Sequence, residues 1–308
     1  MIDNSPVVFG RRLGALGVMA VLSLLGLACD KSKPPAPPSP ATTSAAVEAV
    51  VGTVTASGSS ALQPLVNAAK EKFEAKYKDV SVEVSAGGSN KGLADVASGA
   101  VQIGDSDIFA PDDLKSQLVD HKVAVVGFAA MANRGPFNES ITALSLSALA
   151  RIFTGTVTNW KQLGGQSQTI VVINRAPGSG VRSVFGHIVL GGDKFVESQT
   201  EDNSGALVAK LRQTVGSVSY LSTSFADPGL REFAIKTDAG VVMPTSENIL
   251  AGAYPIWSYE HMYTRGEAKD AAKRFLDYMG SADFQEQILP SVKGFIPVTR
   301  MRLTREKD

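Results

Sequence analysis

From Val50 onward, short apolar stretches alternate with longer segments whose apolar residues recur at helical spacing. Residues 50–55 predict a strand, and after a Ser/Gly turn Leu62, Leu65, Val66, Ala69 and Phe73 mark one face of a helix that Tyr77 extends. Residues 80–84, Val-Ser-Val-Glu-Val, alternate with period two and lead through a Gly/Ser-rich loop into a short helix carrying Leu93, Val96 and Ala97. A third strand is predicted at 101–104. Residues 122–132 are almost continuously apolar, as a strand covered on both faces is. Residues 169–174 predict another strand, and Val181, Val184, Phe185 and Ile188 the helix after it. No repeat of solenoid length interrupts this alternation, which predicts an α/β architecture.

Ahead of Val50 the pattern changes. Arg11 and Arg12 precede an apolar run over residues 13–28, short for a membrane span and suited to the core of a signal peptide. The run ends Leu25-Gly26-Leu27-Ala28-Cys29, which resembles a bacterial lipobox, with Gly26 where a branched aliphatic residue is usual. On this reading residues 1–28 are a lipoprotein signal peptide, and Cys29 is the lipidation site that tethers the protein to a membrane. The alternative is an ordinary cleaved signal or an uncleaved anchor. Residues 29–49, rich in Pro, Ser and Thr, predict a spacer that buries no core.

The 308 residues then leave room for about two domains. A content of 44% hydrophobic and 19% charged residues suits a globular chain and excludes a disordered one. Basic and acidic residues number 30 each; loss of residues 1–28 removes Arg11, Arg12 and Asp3 and leaves a net charge of −1. Such a chain has no positive field to gather nucleic acid, so nucleic acid is not an expected partner. Cys29 is the one cysteine, which excludes an intramolecular disulfide and any multi-cysteine metal site.

Three Ser/Gly-rich loops each follow a predicted strand and precede a predicted helix: Ala56-Ser57-Gly58-Ser59-Ser60-Ala61, Gly87-Gly88-Ser89-Asn90-Lys91-Gly92 and Arg175-Ala176-Pro177-Gly178-Ser179-Gly180-Val181. A helix start offers unpaired N–H groups and the positive end of the macrodipole, glycine permits close approach, and serine adds a hydroxyl. Any one loop is explained by capping alone. Three together, beyond the carboxyl ends of strands in an open sheet, point to one small anion. No Walker sequence, dinucleotide fingerprint or Gly-x-Ser-x-Gly elbow occurs, and His121, His187 and His261 stand apart, so neither a nucleotide hydrolase nor a serine hydrolase is indicated. Arg175 supplies a planar charged fork for two oxygens of an oxyanion. Trp160, an aromatic after a turn, reads as packing.

At these residues the sequence resembles the bacterial periplasmic phosphate-binding proteins, the substrate-binding components of Pst-type phosphate ABC transporters. The landmarks run from Gly58-Ser59-Ser60 and Pro64 through Gly88-Ser89, Gly104-Asp105-Ser106-Asp107, Ile152-Phe153-Thr154-Gly155, Asn159-Trp160, Arg175 with Gly178-Ser179-Gly180 and Gly216-Ser217-Val218-Ser219-Tyr220 to Tyr254-Pro255-Ile256. The resemblance implies a two-lobed periplasmic-binding-protein fold of type II, each lobe a mixed α/β sheet flanked by helices, joined by a two-segment hinge. It implies lobe 1 at 50–127 plus 254–308 and lobe 2 at 128–253, with C-terminal helices around 268–279 and 283–289 returning to lobe 1.

It further implies inorganic phosphate as ligand, with Ser60, the Ala61 N–H, Ser89 and Asp107 from lobe 1, and Arg175, Ser179 and the N–H groups of Gly180 and Val181 from lobe 2. Asp107 can accept a hydrogen bond from a protonated phosphate oxygen, whereas sulfate at neutral pH offers no proton. Asp105 is the competing carboxylate, ranked second because the binding Asp stands last in Gly-x-Ser-Asp. Asn90 and Lys91 either line the cleft or sit exposed at the helix start. The sequence departs from the family at Val181, where threonine is common, at Ala61, where some members have an aromatic residue, and at Pro177, where an acidic residue is frequent. The expectation is a monomeric binding protein without catalytic residues, cofactor or metal, at the periplasm or cell surface, delivering phosphate to permease subunits. The alternatives are another tetrahedral oxyanion or an organic phosphate as ligand, or a phosphatase or sensor on the same fold.

Overall fold

The computed structural model describes residues 50–192 and 194–306. The predicted signal peptide at 1–28, Cys29 and the predicted spacer at 29–49 lie outside the described residues. The chain opens as the hydrophobic pattern predicts: β1 (Gly52–Gly58), α1 (Gln63–Lys76), β2 (Val80–Ala86), α2 (Ser89–Ser98) and β3 (Ile103–Ser106). The three strands run parallel in the order β2-β1-β3, and α1 buries Leu65, Val66, Ala69 and Phe73. β3 begins two residues later than the periodicity suggests, because the turn at 99–102 takes up Val101. Asp105 thereby falls inside the strand.

β4 (Leu118–Asn133) is the strand expected at 122–132, lengthened at its N-terminal end and continuously buried from Val123. β5 (Ala143–Ser145), α3 (Leu146–Phe153), β6 (Val171–Arg175) and α4 (Gly180–Phe185) follow. Beyond α4 the helix widens into a π-helical turn over Gly186–Leu190 and stops at Gly191 with φ +64°. Gly186 makes this possible, since a Cβ there would lie 2.8 Å from the Gly192 carbonyl oxygen. Next come β7 (Gln199–Glu201), α5 (Ser204–Gln213), β8 (Ser217–Ser222), β9 (Leu230–Glu232), β10 (Ala234–Thr237), β11 (Gly240–Val242) and α6 (Ser246–Leu250). The chain ends with β12 (Trp257–Arg265), α7 (Asp270–Met279) and β13 (Phe295–Ile296).

The main sheet has the order β2-β1-β3-β12-β4-β8-β6-β7. It divides into two lobes along a single strand. From Leu118 to Gly127 β4 pairs antiparallel with β12, and from Phe128 to Ala132 it pairs antiparallel with β8. At the change of partner the returning chain is fastened to the same residue: the Phe128 N–H donates to Ile256 O at 2.8 Å, and the Tyr254 hydroxyl donates to Phe128 O at 2.8 Å. Each lobe is thus a mixed sheet, and the two chain crossings lie side by side. α7 packs back on β1 and α1 and sets Phe275 edge-on against Phe73 with ring centroids 5.1 Å apart. The helix expected at 283–289 is a π-helical turn, Phe284–Ile288, followed by a tighter turn that contains Pro290. Among the described residues no helix is long and apolar enough to cross a membrane.

The second lobe is built on aromatic packing. Phe185 stacks on Tyr220 at 4.5 Å, Phe153 meets both rings edge-on, and Trp160 stacks on Phe233 at 5.7 Å. Trp160 is fully buried and donates its indole N–H to Gly216 O at 3.0 Å, which makes it a packing residue. Trp160→Ala opens a cavity and removes one of the two hydrogen bonds that Gly216 O accepts, the other coming from the Val171 N–H at 3.1 Å, so it should lower the unfolding free energy by about 3–5 kcal/mol in guanidinium titration.

Candidate functional site

β1 ends at Gly58, with φ +138° and so little clearance that a Cβ would stand 2.0 Å from the Asp105 carbonyl oxygen. Only glycine fits. The chain then turns, and the Ser59 N–H donates to that same Asp105 carbonyl at 2.9 Å. The expected helix start is here a turn, since α1 begins only at Gln63, just ahead of Pro64. Ser59 caps the turn: its hydroxyl oxygen accepts from the N–H groups of Ala61 at 3.0 Å and Leu62 at 3.3 Å. The Ala61 N–H, expected from the resemblance to face an anion, is therefore engaged within its own loop.

The Ser59 hydroxyl proton goes to Asp107 Oδ1. From the second loop, Ser89 at the first position of α2 accepts from the Asp107 N–H at 2.9 Å and donates to Asp107 Oδ2 at 3.2 Å. A third serine, Ser258 of β12, donates to the Asp107 main-chain carbonyl at 2.9 Å. Both carboxylate oxygens of Asp107 thus accept from hydroxyls in a place 1% exposed, which is what burying a carboxylate requires. Asp105 lies behind it, equally buried, with no hydrogen-bond partner on either carboxyl oxygen. Burial raises the Asp105 carboxyl well above the usual carboxylate range, and the charge on Asp107 adds to the effect.

In the second lobe Arg175 is the last residue of β6 and is 1% exposed. Its guanidinium donates to Glu201 O at 3.1 Å, Asp202 O at 2.8 Å, Ser204 Oγ at 3.2 Å and Ser60 Oγ at 3.0 Å. Burial lowers its pKa, while Asp107, Tyr220, Asp202 and Glu201 pull it back up. The Ser60 bond crosses between lobes, as do the pair Ser60 Oγ and Ser204 Oγ at 2.9 Å and the Ser204 N–H to Ser60 Oγ at 3.2 Å.

The third loop closes on the second. The Asn90 N–H donates to Gly178 O at 3.1 Å, and a Cβ on Gly88 would stand 2.7 Å from that carbonyl. Ser179 caps α4 by accepting from the Arg182 N–H at 3.4 Å, leaving Gly180 and Val181 as the first two helical residues. Gly180 lies against the carboxylate itself, for a Cβ there would meet Ser89 Oγ at 2.2 Å and Asp107 Oδ2 at 2.7 Å. Val181 is buried, with its side chain in the apolar core.

The structure therefore brings Ser60, Ser89, Asp107, Arg175, Ser179 and Gly180 together, whereas the Ala61 N–H is taken by Ser59 and the Val181 side chain lies in the core. Asn90 joins the interface through its main chain, while the Lys91 ammonium turns away to pair with Asp95. Two members were missed by sequence reasoning. Ser59 sits inside the quoted Ser/Gly run, and Ser204 follows Asn203, whose side chain accepts from the N–H groups of Gly205 and Ala206. That cap before an apolar helix is a fourth instance of the same signal. Together these groups offer many donors around one carboxyl whose oxygens accept, Asp107, an arrangement suited to an oxyanion that carries one proton of its own. Among the described residues no group of three or more His, Cys, Asp or Glu could hold a metal ion.

A PBP superfamily domain model matches residues 43–283. The phosphate-binding protein PstS of Bacillus subtilis is 44% identical over 265 residues, spanning 85% of this chain and 86% of that protein. A Clostridium perfringens protein, described as a phosphate ABC transporter substrate-binding protein and solved with phosphate bound, superposes with TM-score 0.73 at 28% identity over 80% of this chain and all of the other. An ABC-type phosphate transport receptor from Vibrio cholerae shares the fold, with TM-score 0.63 at 22% identity, over 80% of this chain and all of the other.

The clearance at Gly180 sets a test of the closed arrangement. Gly180→Ala forces Ser89 and Asp107 aside, so we expect a loss of about 1–3 kcal/mol in thermal unfolding and faster hydrogen exchange at the Asp107 amide.

Proposed function

The chain belongs to the PBP superfamily, among the phosphate-binding proteins related to PstS, and from that premise we propose that it captures inorganic phosphate between its lobes and delivers it to an ABC-type permease. The observation that carries this reading is the Asp107 carboxylate, held by the Ser59 and Ser89 hydroxyls of one lobe with Gly180 and the charge of Arg175 from the other against it. A fully ionised oxyanion in that space faces repulsion from Asp107, whereas a protonated phosphate oxygen donates to it. Arg175 supplies the compensating charge, and the hydroxyls of Ser60, Ser89 and Ser179 with the N–H groups of Ala61, Gly180 and Val181 complete the phosphate set. Ser204, bonded to Arg175 and Ser60, belongs with it. In this reading the hydroxyls that now bond to one another turn to the anion, and closure excludes water and strengthens each charge-assisted bond.

The same reading takes residues 50–127 and 254–308 as one lobe and 128–253 as the other, with the hinge where β4 changes partner. It takes residues 1–28 as a signal peptide, Cys29 as the acylated anchor and 29–49 as the tether, so that a monomer works at the periplasmic or outer face of a membrane. It assigns binding without chemical turnover and needs no cofactor. The lipobox-like ending at Cys29 and the binding role of the named relatives support these assignments.

Calorimetry on refolded, ligand-stripped protein should show tight phosphate binding and little for sulfate; absence of phosphate binding would sink the proposal. Arg175→Ala should weaken phosphate by about 2–5 kcal/mol, as removal of one partner from a buried charge pair does. Asp107→Asn should narrow the preference for phosphate over sulfate, and an unchanged ratio in competition titrations would remove Asp107 from its role as the discriminating group.

A further inference from the structure

Two residues before Asp107 in sequence and equally buried is a second carboxyl, Asp105, that the set of phosphate-binding groups above leaves out. Asp105 is fixed by its main chain: its carbonyl accepts from the Ser59 N–H, and Gly58 and Gly92 press on it so closely that a Cβ on either would stand 2.0 or 2.6 Å away. The two acids of Gly-Asp-Ser-Asp are treated oppositely. Asp107 receives a hydroxyl proton on each oxygen, from Ser59 and Ser89, while neither oxygen of Asp105 has a partner. A buried carboxylate without donors gives up its charge by taking a proton, so Asp105 is held as the neutral acid.

The elements packed against β3 offer Asp105 no compensating cation. β1 carries no titratable group, and α2 contributes Lys91 and Asp95, which pair with each other. β12, whose Met262 lies opposite Asp105, contributes the buried Glu260 and His261, with His261 Nδ1 held 2.8 Å from Asp120 of β4. Its remaining titratable groups are Tyr259, Tyr263 and the exposed Arg265. From the opposite lobe Arg175 interacts with Asp107.

We propose that Asp105 is a positioning residue for anion capture that acts through Asp107: as a neutral acid it leaves Asp107 the one carboxylate facing the ligand, and on ionising it sets a second negative charge behind Asp107 and drives the anion out. This rests on the phosphate reading above. Affinity then falls on the alkaline side. Stability follows the same sign, because the folded chain keeps a proton that the unfolded chain releases near the ordinary value of 3.8. Stability therefore declines as pH rises from there through the raised folded value.

The test is phosphate calorimetry between about pH 6 and about pH 10 on wild type and Asp105→Asn, a neutral isostere. Both share the ligand's own titration, so their affinity ratio isolates Asp105. At the acidic end the two should agree within about threefold, and at the alkaline end wild type should fall at least about tenfold below the variant. A constant ratio overturns the inference, as does a variant already about tenfold weaker at the acidic end. Asp105→Ala repeats the comparison if the amide disturbs folding. Should neither variant fold, infrared spectra of the wild type decide: a neutral carboxylic-acid band that disappears as phosphate is released at high pH supports the proposal, and its absence at neutral pH overturns it. A wild type that binds no phosphate at any pH overturns the functional reading together with this one, whereas binding with parallel pH profiles overturns this one alone.

Discussion

A carboxylate buried opposite a buried guanidinium needs a donor for every oxygen that carries charge and an acceptor for every N–H, or the burial destabilises the fold by several kcal/mol per ion. Much of the structure around Asp107 and Arg175 meets that requirement. Asp107 draws hydroxyl protons from two loops that follow different strands, and β12 fastens its carbonyl. Arg175 spends its guanidinium N–H groups on two main-chain carbonyls and two serine hydroxyls, one of them from the other lobe. Neither group could be satisfied by the element it sits on. The loops must therefore approach within bonding distance, and glycines stand at the points where a side chain would hold them apart.

The same requirement ties the site to the place where the lobes join. β4 serves both lobes, and its switch from β12 to β8 coincides with the residue that Tyr254 and Ile256 hold. Tyr254 and Ile256 lead directly into β12, which carries Ser258. A rotation of one lobe about this double crossing moves Arg175, Ser179 and Gly180 together against Ser60, Ser89 and Asp107, because each set rides on its own sheet. Hinged closure needs only a few residues to absorb the change.

The fold was legible because its signals are long and redundant. Alternation at 80–84 and an unbroken apolar run at 122–132 leave few structures open, and the helical stripe from Leu62 to Phe73 is unambiguous. Boundaries were less legible where glycine or proline decides them, as at the π-helical turn beyond Phe185 and the turn before Pro64. Within the site, strand-loop-helix grammar brought out Ser60, Ser89, Arg175 and Ser179, and the family likeness singled out Asp107. What sequence could not supply was the direction of individual bonds. Ser59 and Ser60 are adjacent and chemically identical, yet one binds Asp107 and the other Arg175. Ser204 enters from a fourth helix start that pattern reading passed over, since it follows a strand of only three residues, Gln199–Glu201.

The near-neutral charge of the chain is consistent with anion capture once the site is seen to work by direction and not by field. A strongly basic cleft gathers oxyanions without distinguishing them. Here the Arg175 guanidinium is fixed in direction by two main-chain carbonyls and two serine hydroxyls, and the Asp107 carboxyl stands where the loops converge. Such a site gains little from charge alone. On the proposed reading its selectivity lies in a proton count: Asp107 receives one hydrogen bond that only a protonated oxyanion can give, while the surrounding donors are fixed in number. On that reading closure and selection are the same event, because Gly180 at the start of α4 lies against the carboxylate proposed to test the ligand.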